Sequence, residues 1–156
     1  MFSLTNNPID PIQLRKSLSN PAAGACVTFE GIVRNHNDSR KVLSLEYEAY
    51  TELCEVQTAK IFKEAHAQFS IIEAQCVHRT GKLNISDMAV WVGVSTAHRD
   101  DAFKACRYII DEIKKRLPIW KKEIYADGDS GWVNGTGSHQ NHSQFSPQTY
   151  GHRNQS

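Results

Sequence analysis

The sequence predicts a single α+β domain with mixed or antiparallel sheet, and three observations carry that prediction. Apolar residues recur every second position in some segments and every third or fourth in others, so strands and helices are both present. The segments run helix, two strands, helix, two strands, helix, strand. Strands arriving in pairs fit antiparallel neighbours better than a doubly wound parallel sheet. Finally, 156 residues with 40% hydrophobic and 22% charged side chains suit one globular domain. A chain of that length buries roughly 68–70% of its unfolded surface.

Residues 1–9 are polar and are expected to be frayed. Asp10-Pro11 starts a short helix, a capping carboxylate followed by proline at the first helical position. Ile12, Leu14 and Leu18 give that helix its apolar side, and it should end near Asn20-Pro21. From Gly24 the period becomes two, Ala25, Val27, Phe29, Gly31 and Val33 alternating with Cys26, Thr28, Glu30 and Ile32. Both faces are apolar enough to predict a central strand covered on both sides. A polar loop from Arg34 to Arg40 leads to a second strand, in which Leu43, Leu45, Tyr47 and Ala49 alternate with Ser44, Glu46 and Glu48. The short connection predicts that these two strands pair antiparallel.

Thr51 can cap a long helix whose stripe is Leu53, Val56, Ala59, Phe62, Ala65 and Phe69. Residues 71–79 read as a strand ended by Thr80-Gly81, and residues 88–95 as a nearly continuous apolar, buried one. Asp100 and Asp101 suit the positive first turn of the next helix, with Phe103, Cys106, Ile110, Ile113 and Leu117 on its inner face. Pro118 lacks an amide hydrogen and disfavours helix at Leu117, so the chain should bend there and re-emerge extended through Ile119 to Tyr125. Asp127-Gly128-Asp129 turns the chain again, and Trp132-Val133 is the last apolar pair. The domain is therefore taken as residues 10–134. From 135 to 156 the composition shifts to Gly, Ser, Asn, Gln and His, which cannot offset its ordering entropy, so a disordered tail is expected rather than a metal site at His139, His142 and His152.

Charge and cysteine usage narrow the function. The formal net charge is +1, which gives no overall pull towards nucleic acid or membrane, so any anion site must be local. No apolar run approaches a membrane span and the N-terminus carries no signal pattern. Cys26, Cys54, Cys76 and Cys106 are widely spaced, without zinc spacing, and read as small hydrophobes of a cytoplasmic protein. Gly-x-Ser-x-Gly, phosphate-loop and dinucleotide fingerprints are absent.

The chemistry concentrates in three polar segments at the ends of apolar elements. They are Arg34-Asn35-His36-Asn37, His98-Arg99, and the corner from Lys114 to Glu123. Lys114 lies on the last helical turn and Lys121 on the strand after the bend, so the two can converge on one point. With Arg34, His98, Arg99 and Lys122 they suit a phosphate or other small polyanion, since guanidinium forks bind its oxygens bidentately. His98 and Arg99 would add the amide donors of the following helix. Crowded cations lower one another's pKa, which fits a lysine for proton transfer. Each has a plainer role as well: Arg34 closing a strand, His98 satisfied in a turn, Arg99 paired with Asp100 or Asp101, the basic corner a solvated helix end.

Three stretches taken together resemble a known family. They are Phe29-Glu30-Gly31-Ile32-Val33-Arg34-Asn35-His36-Asn37, Val92-Gly93-Val94-Ser95-Thr96-Ala97-His98-Arg99, and Lys114-Lys115-Arg116-Leu117-Pro118-Ile119-Trp120-Lys121-Lys122-Glu123. With the closing Gly128-Asp129-Ser130-Gly131-Trp132-Val133 they are similar to the catalytic (large) subunit of molybdopterin synthase, over roughly residues 10 to 134. The tail after Gly135 matches nothing in that family. The resemblance implies an α/β hammerhead with an added antiparallel sheet, and a homodimer at the centre of a heterotetramer. It implies a small ubiquitin-like partner whose Gly-Gly C-terminus carries a thiocarboxylate, delivering sulfur to cyclic pyranopterin monophosphate to make molybdopterin. No cofactor or metal of its own is implied.

By the same resemblance Lys114 and Lys121 are catalytic, Lys121 positioning substrate and Lys114 serving the thiocarboxylate and proton transfer. Substrate binding falls to Ile32, Val33, Arg34, His98, Arg99, Lys114, Lys121, Lys122 and Glu123, with Arg34, His98 and Arg99 on the phosphate and Lys122 and Glu123 on the pocket wall. Two other functions compete with this one. One is a non-enzymatic anion- or partner-binding module on the same fold, and the other a sulfurtransferase carrying a persulfide on one of its own cysteines.

Overall fold

The structure, a computed structural model, describes residues 1–134. The tail from residue 135, with its three histidines, lies outside the described residues. Along the chain run β1 (Phe2–Thr5), α1 (Pro11–Ser17), β2 (Ala25–Ile32), β3 (His36–Asn37), β4 (Arg40–Ala49) and α2 (Thr51–Gln68). Then come β5 (Ile71–Arg79), β6 (Gly81–Asn84), β7 (Met88–Thr96), α3 (Arg99–Arg116), β8 (Ile119–Tyr125), β9 (Gly128–Asp129) and β10 (Val133–Asn134). Two sheets result. One has the order β1-β5-β7-β2, and the other β10-β8-β4-β3 with β6 on β4 and β9 on β8. The α+β class is as expected.

The N-terminus corrects the sequence reading. Residues 2–5, expected to be frayed, pair in parallel with β5, Phe2 opposite Cys76 and Thr5 opposite Arg79. The terminal ammonium donates to the Ala74 carbonyl at 2.7 Å. Phe2 and Leu4 alternate inward onto the main core, a two-residue pattern too short to read within a polar segment.

β2 is also corrected, from a central strand to the edge of its sheet, pairing only with β7. Ala25, Val27, Phe29 and Gly31 are half-buried, whereas Cys26, Thr28, Glu30 and Ile32 are exposed. β4 does not pair with β2 at all. The loop after Val33 carries the chain into the second sheet, where β4 lies antiparallel between β8 and β6 or β3. A register shift between Val42 and Ser44 turns Leu43 outward, interrupting its alternation with Leu45.

The helices bury faces slightly rotated from those expected. α2 buries Cys54, Thr58, Ile61 and Ala65, while Val56 stands out in solvent. α3 buries Ala102, Ala105, Cys106, Ile109, Ile110 and Ile113, and Phe103 is 62% exposed. Small alanines on the inner face let α3 lie close over the first sheet, and the shared core joins α2, α3, β5 and β7. α1 begins as expected, with the Asp10 carboxylate accepting the amides of Ile12 and Gln13.

At the C-terminal end of α3 the proline does what the sequence requires. Leu117 caps the helix in extended conformation and β8 begins at Ile119. The carbonyl of Pro118 accepts the Tyr50 amide at 3.1 Å, tying the corner to the start of α2. Arg116 is used structurally here, bridging Glu64 at 2.6 Å and Glu112 at 3.3 Å.

Candidate active site

A pocket of about 80 Å³ opens at this corner, between the two sheets and the end of α3. β2 contributes Gly31 and Ile32, β4 Tyr47, β5 His78, β7 Val90, α3 Ile113 and Lys114, and β8 Ile119. Its wall is tight at Gly31, where a Cβ would come within 2.6 Å of Val90 Cγ1. Most of the lining residues are aliphatic, and one imidazole, one phenol and one ammonium add polar surface to them.

Lys114 sits at the mouth, exposed on one side and lining the pocket on the other. Partial loss of water, then the charges of Lys121 and Arg34, hold its ammonium below the usual lysine range. The two lysines and Arg34 therefore do share one electrostatic neighbourhood. Lys121 stands opposite Tyr47 in the β4–β8 register, on the pocket face of that sheet, and its ammonium lies 3.1 Å from Glu123 Oε1.

Glu123 is buried and well supplied with donors. Asn37 Nδ2 gives to its Oε2 at 2.9 Å, and the Tyr125 hydroxyl donates to the same oxygen. Burial pushes this carboxyl up, but those hydrogen bonds and the Lys121 charge outweigh it and hold it below the ordinary carboxylate range.

The remaining expected residues separate. Lys122, one residue on, faces the other side of β8, paired with Glu46 at 3.4 Å and stacked over Trp132 at 4.7 Å. Val33 is buried in a second small core with Leu45, Leu83 and Ala89 and does not itself line the pocket, although its neighbour Ala89 does. His98 is the N-cap of α3 and Arg99 its first residue, both exposed. Arg99 makes no ion pair among the described residues, since Asp100 pairs with Lys104 instead. Lys114 lies at the opposite end of the same helix, about 22 Å away along the axis. The single cleft expected from the sequence is therefore not closed within one chain: Arg34 and Lys121 lie within electrostatic reach of Lys114, and His98 and Arg99 do not join them.

Two pocket residues were missed by sequence reasoning. Tyr47 and His78 meet edge to face, ring centroids 4.9 Å apart. Burial, then the Glu123 charge, pushes the Tyr47 phenol up to about 12. Burial pushes the His78 imidazole down to about 4, helped by the charge of Lys114 and opposed by the Arg79 carbonyl. A histidine in register with Ala74 and Cys76 on one face of the strand was the available signal.

This imidazole predicts a pH dependence of stability. The unfolded chain takes up a proton near pH 6.5 that the folded chain refuses until about pH 4. Stability should therefore fall as pH drops through that window and level off below it, by about 3 kcal/mol in all. Urea titrations from pH 7 to 4 should show wild type losing more stability than His78→Phe. Identical pH slopes would contradict the buried neutral ring.

The cysteines offer no competing centre in this pocket. Cys54, Cys76 and Cys106 are buried and free, and burial pushes all three thiols up, Cys54 to about 12 and Cys106 to about 11. Cys26 is exposed at the far end of β2 from Gly31. Among the described residues no group of three or more His, Cys, Asp or Glu could hold a metal, and no helix is long and apolar enough to cross a membrane.

The family model described as MoaE protein matches residues 4–116. The chain belongs to the MoaE family. A relative from Thermoplasma volcanium, the molybdopterin synthase catalytic subunit, is 46% identical over 129 residues, covering 83% of this MoaE chain and 94% of its own length. The crystal structure of molybdopterin synthase from Staphylococcus aureus shares 42% identity and a TM-score of 0.79, covering 85% of this chain and 96% of that one. A Helicobacter pylori complex of subunits 1 and 2 of molybdopterin-converting factor shares the fold at 21% identity, with a TM-score of 0.68 over 82% of this chain and 87% of that one. The two-sheet α+β architecture of this chain is thus that of MoaE structures.

Proposed function

We propose that this MoaE chain is the sulfur-transferring catalytic subunit of a cytoplasmic molybdopterin synthase. It converts cyclic pyranopterin monophosphate to molybdopterin with sulfur from the C-terminal thiocarboxylate of a small ubiquitin-like partner. One observation carries the reading: Lys114 lines a narrow pocket that holds no cysteine, and Lys121, across the Pro118 corner, lies within its electrostatic reach. A site with cations and without its own sulfur suits a sulfur that arrives on another chain.

The pocket's small cross-section favours a Gly-Gly tail, which has no side chains to exclude. Lys114, with its weakened hold on a proton, serves the thiocarboxylate and the charged tetrahedral species formed from it. Lys121 positions the pterin, and Arg34 supplies charge to its phosphate. The relatives' activity and the two-subunit Helicobacter pylori complex support a synthase with a small partner. His98 and Arg99 can serve this phosphate only from a second copy, which fits a homodimer at the centre of a heterotetramer.

The decisive experiment combines the purified chain, a thiocarboxylated small subunit and the cyclic precursor, with the product identified by mass. Failure to form the dithiolene product would sink the reading. Within that assay Arg34→Ala should raise the precursor KM by about 10-fold and change kcat by less than about threefold, because a phosphate contact is made equally in ground and transition states. An unchanged KM would remove Arg34 from the phosphate site.

A further inference from the structure

We propose that His78 is a positioning residue for the sulfur-transfer reaction, its Nε2 accepting a hydrogen bond from the Lys114 ammonium through one bound water. The inference rests on the function proposed above and adds a residue to its machinery.

The tautomer follows from geometry. His78 is 8% exposed, and its Nδ1 lies 2.7 Å from the backbone carbonyl oxygen of Arg79. A carbonyl only accepts, so Nδ1 carries the hydrogen, and in the neutral ring Nε2 is left with a bare lone pair. Burial and the nearby Lys114 charge both favour that neutral ring. The Tyr47 ring, edge-on at 85°, fixes its plane.

The direction of Nε2 follows from what does not bind it. Among the described residues no group hydrogen-bonds to Nε2, yet the fully buried side-chain atoms without partners are Arg79 Nε and Ser95 Oγ. Nε2 therefore meets open space, and the pocket is the open space that His78 lines together with Lys114. Its volume of about 80 Å³ accommodates a bridging water, which needs only about 10–15 Å³ on that scale.

The chemical reason for an imidazole here is its lack of charge. A carboxylate would hold the ammonium in an ion pair, as Glu123 holds Lys121 at 3.1 Å. A neutral acceptor orients Lys114 without neutralising it, leaving its proton free to move to the substrate. The two lysines thus have unlike partners, which matches a division between a fixed charge and a transferable proton.

Three substitutions test this. His78→Asn keeps a donor near Arg79 and has nothing at Nε2; His78→Phe keeps the ring and loses both nitrogens; His78→Gln returns an amide near Nε2. In the conversion assay Asn and Phe should lower kcat by about 10–100-fold with both KM values within about twofold, and Gln should recover to within about fivefold of wild type. A folded His78→Asn with kcat within twofold of wild type overturns the proposal, as does an equal loss in all three with raised KM. Should the variants fail to fold, ¹⁵N imidazole spectra of the wild-type protein at pH 7 decide. A hydrogen on Nδ1 and none on Nε2 supports the assignment, and the opposite tautomer or an imidazolium overturns it. A wild-type protein that converts nothing sinks the functional reading itself, a result distinct from any of these.

Discussion

Lys121→Ala is expected to lower single-turnover conversion of the precursor by about 100–1000-fold while the protein stays folded and still binds its small partner. The size follows from the loss of the fixed ammonium that positions the pterin in a partly dry site, where a small misplacement of the reacting atoms costs on the order of 100-fold or more. The case for Lys121 is its position: opposite Tyr47, on the pocket face, within electrostatic reach of Lys114. The competing view gives Lys121 a purely structural duty, neutralising the buried Glu123. Structural loss should be small, because Glu123 keeps its hydrogen bonds from Asn37 and Tyr125, and Lys121 is itself 25% exposed. About 1–2 kcal/mol is the expected cost in stability. A non-enzymatic binding module would show that cost alone, with conversion by the wild-type chain no faster than by the variant. Measured together, melting and single-turnover rates separate the two, and Lys121→Ala turning over within threefold of wild type would end its catalytic role.

How much of this was legible in the chain depends on the kind of signal. The corner was readable because Pro118 acts locally: it removes a donor and restricts Leu117, so the end of α3 and the start of β8 follow from one residue. Strand partners were not readable, because alternation reports faces and says nothing about neighbours. β2 looked central because Cys26 and Ile32 dilute the polarity of its outer face, and only the edge position explains their exposure. β4 looked like its hairpin mate, although the loop between them crosses to another sheet. His78 and Tyr47 were hidden because each sits at an inward position of a strand, where packing is the default reading. The separation of Arg99 from Lys114 was in plain sight, since one helix of 18 residues carries both at its ends.

That separation leads to the second large effect. A chain with His98→Ala and Arg99→Ala, co-expressed with a Lys121→Ala chain, should regain conversion that neither parent shows. In a two-fold dimer whose sites each combine the lysines of one copy with the cations at the start of α3 of the other, half of the randomly paired dimers are mixed. Each mixed dimer has one site carrying all the substitutions and one site carrying none. About a quarter of all sites should then be intact, and conversion at low precursor concentration should return to about that fraction of wild type. Low concentration matters, because loss of phosphate contacts is felt mainly in KM and is masked at saturation. The geometry behind this is the length of α3. Arginine and lysine side chains together cannot span the roughly 22 Å between the helix ends, so within one copy the two groups cannot grip one small phosphate. If the mixture performs no better than the sum of its parents while purified mixed dimers are present, His98 and Arg99 do not complete a neighbour's site, and the phosphate depends on Arg34 and the two lysines alone.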